Sequence, residues 1–243
     1  MSQTAAEPAM SIAEALAPRM PPYLEEVYWW AYLRPASLAV FDHSPIVSAI
    51  LWGNYNRLKR AAFAEIRPGQ SVLQAACVYG DFSTDLAGHV GGDGRLEVID
   101  VAPLQVDNCR RKLRNFPQAQ ARLADAAEPG GGPYDVVCCF FLLHELPDGH
   151  TRAVLDGLLS SVAPGGKAIF VDYHNAHPLH PLKPITNLVF RLLEPFAKGL
   201  CEHGIADFAG DAGSFVWRKR TYFGGLYQKV VAERKPEREA ICG

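Results

Sequence analysis

The run Val72-Leu73-Gln74-Ala75-Ala76-Cys77-Val78-Tyr79-Gly80-Asp81 decides the fold. Its first half is an apolar strand. Its second half is a turn of the kind that carries a backbone up to a nucleotide and hands it to a helix. Glycine suits such turns because a missing Cβ permits positive φ and close approach to a ligand. Gly80 is the one glycine in the run, so Ala76, Val78 and Tyr79 must present a differently shaped floor to whatever binds there.

Working outward, element types alternate. Ser71 to Cys77 reads as the first strand, Asp81 to Val90 as a helix, Arg95 to Val101 as the second strand and Pro103 to Phe116 as a helix. A short strand at Gln120 to Leu123 follows, then a glycine-rich crossing. Tyr134 to Leu142 is the most apolar strand, fitting the centre of a parallel sheet covered on both faces. Thr151 to Val162 reads as a helix, Pro164-Gly165-Gly166 as a turn and Lys167 to Tyr173 as a further strand. Two last strands, Ser214 to Phe223 and Leu226 to Ala232, join at Gly224-Gly225 as a hairpin. The expected fold is α/β, a doubly wound, mostly parallel seven-stranded sheet with a C-terminal antiparallel hairpin. Residues 1–20, rich in Ala and Pro, read as a poorly ordered tail. Residues 21–56, dense in Tyr and Trp, read as an N-terminal helical cap; residues 57–235 form the main domain, with an insert at about 176–212.

Composition narrows the function. The chain has 243 residues, 49% of them hydrophobic, and a formal charge of −2, which gives no electrostatic footprint for nucleic acid. Six cysteines at 77, 109, 138, 139, 201 and 242 form no Cys-x-x-Cys pair and read as reduced core residues of a cytoplasmic protein. No apolar stretch approaches the ~20 residues of a membrane span, and the N-terminus has no signal-peptide pattern.

In a doubly wound sheet, ligands bind beyond the C-terminal ends of the strands. Asp100 ends the second strand about 20 residues past Gly80, the distance at which an acid accepts hydrogen bonds from a ribose diol; capping of the next helix is the plainer reading. Asp125, followed by Ala126, suits an adenine amine, or is simply a loop acid. The dinucleotide pattern Gly-x-Gly-x-x-Gly is absent, and the turn before the fifth strand, with the final hairpin, favours S-adenosylmethionine (SAM) over NAD. The cofactor set is then Gln74, Ala76, Val78, Tyr79, Gly80, Asp100, Val101, Asp125 and Ala126.

The strand-turn-helix resembles that of the class I SAM-dependent methyltransferases, where the stretch runs apolar-apolar-acidic-x-Gly-x-Gly-x-Gly. Gln74 stands at the acidic position, and Ala76 and Val78 stand at two of the glycines. A narrower resemblance rests on Tyr-Trp-Trp-Ala-Tyr-Leu-Arg-Pro at 28 to 35, Cys-Val-Tyr-Gly-Asp-Phe-Ser at 77 to 83, Leu-Leu-His-Glu at 142 to 145, Val-Asp-Tyr-His at 171 to 174 and Tyr-Phe-Gly-Gly-Leu-Tyr-Gln at 222 to 228. Together these are similar to the rhodoquinone-biosynthesis (RquA) family, related to the ubiquinone-pathway methyltransferases, over nearly all of residues 21 to 232. That resemblance implies replacement of a methoxy group of ubiquinone by an amino group, with SAM as amino donor and Mn2+ as helper. Ubiquinone is the implied lipid substrate, met by peripheral contact at the cytoplasmic face of the inner membrane.

The altered residues acquire a chemical meaning on that reading. A carboxylate near an amine favours its charged form, so neutral Gln74 would ease access to the free amine of SAM; Gln74 satisfying backbone groups at the strand end is the competing reading. Manganese prefers carboxylate, imidazole and water. The loops after the fourth and fifth strands offer His144, Glu145, Asp148, Asp172, His174, His177 and His180, from which His144, Asp172 and His174 are the expected ligands. Tyr79, His144 and Tyr173 are the candidate proton-transfer groups. Tyr28, Trp29 and Tyr32 are the expected ring-stacking set, with an apolar insert helix around Leu182 to Phe196 at the mouth and Lys183, Arg191 and Lys198 toward lipid headgroups. Two further readings stay open: a quinone methyltransferase with a worn turn, and a non-catalytic SAM-fold protein that presents quinones to a partner.

Overall fold

A computed structural model of the chain describes residues 20–236. The tail expected over 1–20 therefore lies, save for Met20, outside the described residues, as does Cys242. Four short helices come first: α1 (Pro22–Glu26), α2 (Trp29–Tyr32), α3 (Pro35–Phe41) and α4 (Ser44–Ile50). Proline in the first turn of α1, α3 and α4 starts each one, because the missing N–H would have no partner there and φ is already set. Helix α5 (Tyr55–Phe63) follows and buries Tyr55, Leu58 and Ala62, whose spacing of three and four residues puts them on one face.

The sheet then alternates with helices: β1 (Ser71–Ala75), α6 (Phe82–Val90), β2 (Arg95–Asp100), α7 (Pro103–Leu113), β3 (Ala119–Leu123), β4 (Tyr134–Phe140), α8 (Asp148–Ser160) and β5 (Val162–Tyr173). Two helices in the insert, α9 (Lys183–Leu193) and α10 (Ala197–Glu202), precede β6 (Phe215–Tyr222) and β7 (Tyr227–Arg234). The strand order is β3-β2-β1-β4-β5-β7-β6, parallel up to β5 and antiparallel across β5, β7 and β6. The expected sheet, including its edge hairpin, is present. The order reverses between β1 and β4, so a crevice opens above the C-terminal ends of those strands.

Both faces of the sheet are covered. One apolar layer joins Leu58, Phe82, Leu86, Val98 and Ile169; the other joins Leu73, Ile99, Val137, Leu155 and Phe170. In β4 every residue but Asp135 is buried, as its unbroken apolar run implies. One boundary differs clearly from the sequence reading. Strand β5 begins at Val162, and Pro164-Gly165-Gly166 is a bulge within it: Tyr134 pairs with Val162 while Val136 pairs with Lys167. Gly165 sits at φ +73°, so the glycine that reads as a chain reversal instead absorbs extra residues in a continuing strand.

Candidate functional site

A cavity of about 600 Å³ lies over the crevice. Its floor is the loop after β1 (Ala76, Cys77, Val78, Tyr79), the end of β2 (Asp100, Val101), the segment after β3 (Ala124, Asp125, Ala126) and the segment after β4 (Phe140 to Leu142, His144, Glu145). Its roof is the cap and α9. Most of the lining is aromatic or aliphatic, with polar groups concentrated in two places.

The first polar group is at the sheet's crossover. Asp100 uses one carboxylate oxygen to accept from the backbone N–H of Cys77 at 2.8 Å and the other to accept from Ala102 at 2.9 Å. It therefore pins the β1 turn to the backbone that leads into α7 while lining the cavity. Asp125 accepts from the Ala127 N–H at 2.8 Å and also lines the cavity. Ala76 adopts φ +67°. The backbone thus makes a left-handed bend there without glycine, in a region an L-residue enters at a cost.

Gly80 and Gln74 are placed differently from the expectation. Neither lines the cavity. Gly80 has φ +80°, and a Cβ there would meet Ser44 at 3.0 to 3.3 Å; this glycine admits the cap, not a ligand. Gln74 is fully buried below the turn. Its Nε2 donates to the Ala76 carbonyl and to Ser83 Oγ, each at 2.9 Å. The backbone-satisfying reading of Gln74 is the one its geometry supports, through Nε2 alone, since Oε1 is buried without a partner and the side chain does not reach the cavity.

Tyr79 is turned into the cap. Its ring stacks on Tyr32 and on Phe41, its hydroxyl donates to the Ala31 carbonyl, and Gln105 Nε2 donates to that hydroxyl at 3.0 Å. Asp42 completes the latch by accepting from the Gly80 N–H at 2.8 Å, from Asn108 at 2.7 Å and from Lys112 at 2.7 Å. Tyr79 lines the cavity with its body while its hydroxyl is committed, so it is placed to hold rather than to transfer protons.

The second polar group is an acid cluster. His144 is buried, with Nδ1 2.8 Å from Asp172 Oδ1 and Nε2 3.9 Å from Glu145 and 3.8 Å from Glu194. Asp172 is held by backbone N–H groups: Leu143 donates to it at 2.9 Å and Tyr173 at 2.7 Å. Tyr32 donates to Glu145, and Tyr28 donates to Glu194 at 2.9 Å. Cap, core and insert therefore meet on these two carboxyls. Burial would lower the His144 pKa, but Asp172, Glu194 and Glu145 outweigh it and push it up to about 10. Burial, with Glu194 and Asp172 nearby, pushes the Glu145 carboxyl up to about 8 although His144 and Tyr32 pull the other way. Burial likewise raises Glu194. With burial and each other's charge against ionisation, Glu145 and Glu194 are both held toward their protonated forms beside the His144 imidazole.

His174, expected beside His144 and Asp172, is not there. Its Nδ1 accepts the Asn175 N–H, and among the described residues no three His, Cys, Asp or Glu side chains are grouped to hold a metal ion. The expected ligand set fails because β5 ends at Tyr173 and the next side chain leaves the sheet. His177 and His180 also sit elsewhere: the His177 N–H donates to the Gly224 carbonyl, and the His180 ring lies against Phe223 at the hairpin. Tyr173 does reach the cavity, its ring perpendicular to that of His144 at 4.8 Å.

Of the expected stacking set, Tyr28 and Tyr32 line the cavity and Trp29 does not. Trp29 is exposed under the guanidinium of Arg34, 4.0 Å from its ring centre; Trp30 lines the cavity instead. Two residues that the sequence reading passed over belong to the site. Glu194 had a signal, being a lone acid at the end of an apolar helix. Phe141 had none: it lines the cavity at φ +55°, a conformation costly for an aromatic residue and typical of functional sites.

Comparison with known proteins agrees with this architecture. Residues 72–166 match the family model described as Methyltransferase domain. The fold is that of the class I SAM-dependent methyltransferases. Among curated relatives, an uncharacterized methyltransferase of Synechocystis is 28% identical over 205 residues, covering 84% of this chain and 93% of its own length. The demethylmenaquinone methyltransferase of Lactococcus lactis is 28% identical over 145 residues, 56% of each chain. Among solved structures, the N-methyltransferase NodS of Bradyrhizobium japonicum, in complex with S-adenosyl-L-homocysteine, aligns at TM-score 0.55 and 14% identity over 83% of this chain and 93% of its own. Human N-acetylserotonin methyltransferase in complex with SAM aligns at TM-score 0.58 and 14% identity over 88% and 62%. The matched segment carries Asp100 and Asp125, both of which line the cavity.

Proposed function

We propose that the protein exchanges a ring methoxy group of ubiquinone for an amino group donated by SAM. The carrying observation is the close grouping of His144, Glu145 and Glu194, with His144 Nε2 3.9 Å and 3.8 Å from the two carboxyls, in a largely apolar cavity that also reaches Asp100 and Asp125. Transfer of a sulfonium methyl needs no acid. Departure of a methoxy group does, because methoxide leaves readily only as methanol.

In this scheme Asp100 and Asp125 hold the nucleoside, and the quinone ring lies against the aromatic wall near Tyr28, Tyr32 and Phe141. The amine nitrogen of SAM forms a bond to the ring carbon as the bond from that carbon to methoxy oxygen breaks. The amine sheds one proton and the methoxide gains one, so the His144–Glu145 pair ends as it began. The bond between nitrogen and the donor's α-carbon then breaks with its electron pair going to nitrogen; the adjacent carbon loses a proton as the two carbons become doubly bonded, and nitrogen takes up one proton, leaving the ring amino group and an unsaturated sulfonium acid. Asp172 fixes the His144 ring for this exchange, and Tyr28 and Tyr32 orient the two glutamates. The residues expected to ligate manganese do not fit that role, and no step of this scheme is routed through a metal.

A quinone methyltransferase is the second reading, favoured by the likeness to the demethylmenaquinone enzyme. The two separate on the fate of the methoxy carbon. With both ring methoxy groups of ubiquinone labelled, the proposal expects one labelled methanol released and one label kept per product formed. Product that retains both labels would refute it.

A further inference from the structure

Eleven large hydrophobic side chains are exposed among the described residues, and all but Val216 belong to the cap or the insert. That bias is the observation, since exposed hydrophobics scattered singly would mean nothing. Along α9, Ile185, Leu188 and Leu192 are 46% to 66% exposed, and their spacing of three and four places them on one helical face. Across the cavity mouth stand Trp30 and Trp52, 36% and 40% exposed. Both tryptophans line the cavity as well, as does Leu193 at the end of α9. The apolar patch therefore surrounds the opening.

We infer that this rim seats on the surface of a lipid bilayer with anionic headgroups, so that an apolar ligand passes from the acyl layer into the cavity without crossing water. No helix among the described residues is long and apolar enough to span a membrane, so contact is in the interfacial plane. A one-sided apolar helix beside tryptophans is the composition that such a plane favours. Charge complementarity selects the headgroup. Arg34 beside Trp29, and Arg191 on the insert, are exposed cations bordering the patch, whereas Lys198 is paired with Glu202 at 3.6 Å; the exposed acids of the cap, Glu25 and Glu26, sit on α1 ahead of the tryptophans. Lys183, expected to join the basic set, is bonded to the Ala176 carbonyl and to Asn175 and is not available. The inference depends on the placement of the rim and not on the chemistry inside the cavity.

The test is flotation of the full chain with vesicles of phosphatidylcholine alone and of phosphatidylcholine mixed with phosphatidylglycerol. The inference expects the protein to float with the mixed vesicles, more weakly with the neutral ones, and about tenfold more weakly still when Leu188 and Leu192 are both changed to Glu. Those two side chains are exposed and outside the cavity lining, so the thermal unfolding of L188E/L192E should match that of the parent. Failure of the parent to float, equal flotation on both vesicles, or undiminished flotation of the double variant would each overturn the inference. So would light scattering that shows a dimer of the parent, dissolved in the double variant, in a protein that ignores vesicles.

Discussion

The rings of Tyr79 and Tyr32 lie stacked, their centroids 5.7 Å apart and their planes 21° from parallel. This contact ties the turn after β1 to the cap. A small residue at 79 could not make it, so the side chain that follows Val78 in this turn is what holds the cap down.

Tyr79→Gly removes two ring stacks and one hydrogen bond to the cap, and a second hydrogen bond from Gln105 of α7, a loss of about 3 kcal/mol. Hydrogen exchange across residues 28–41 should rise in this variant while β1 and β4 stay protected. An unchanged cap would show that Tyr79 is not the latch.

Gln74→Asp places an acceptor-only group where the native amide donates to Ala76 and Ser83. A buried group that loses its partners costs about 1–3 kcal/mol, so the urea midpoint should fall. A variant as stable as the parent, with altered pH dependence of product formation, would restore Gln74 as a regulator of the amine.

His144 and Glu145 give stability a definite pH dependence. Both have folded-state pKa values raised above their ordinary ones, to about 10 and about 8. The folded protein therefore binds protons that the unfolded chain releases. The His144 contribution is complete below its ordinary 6.5 and is lost as pH climbs to about 10, and that of Glu145 is lost between its ordinary 4.5 and about 8. Thermal melts should show stability declining from pH 6 to pH 9. Glu145→Gln should flatten the lower part of that decline, and the deficit of His144→Gln should be largest at low pH and shrink toward pH 10. A stability that rises over this interval would contradict the charge assignment.

His174→Ala should leave product formation and manganese affinity within about twofold of the parent, because the His174 side chain bonds its own loop. A tenfold loss of either would return His174 to the site.

The sheet was legible because its signals are local: the apolar run of β4, the turn after β1, and a hairpin marked by paired glycines. Asp100 and Asp125 were legible for the same reason, since their positions follow from strand ends. The acid cluster was only half legible. His144 and Asp172 stand at strand ends, but Glu194 arrives from the insert, and nothing local says that α9 folds back to deliver it. His174 misled because neighbours in sequence separate where a strand stops. Gln74 misled because alternation along β1 puts its side chain beneath the turn, a direction that motif comparison does not carry.

The central claim is that the amine of SAM becomes the amine of the ring. With SAM labelled by nitrogen-15 at its amino group, the quinone product should carry the label and, after correction for it, weigh about 15 units less than ubiquinone, as methoxy-to-amino exchange requires. A product about 14 units heavier than its acceptor and free of the label would instead report methyl transfer, and the account would be wrong.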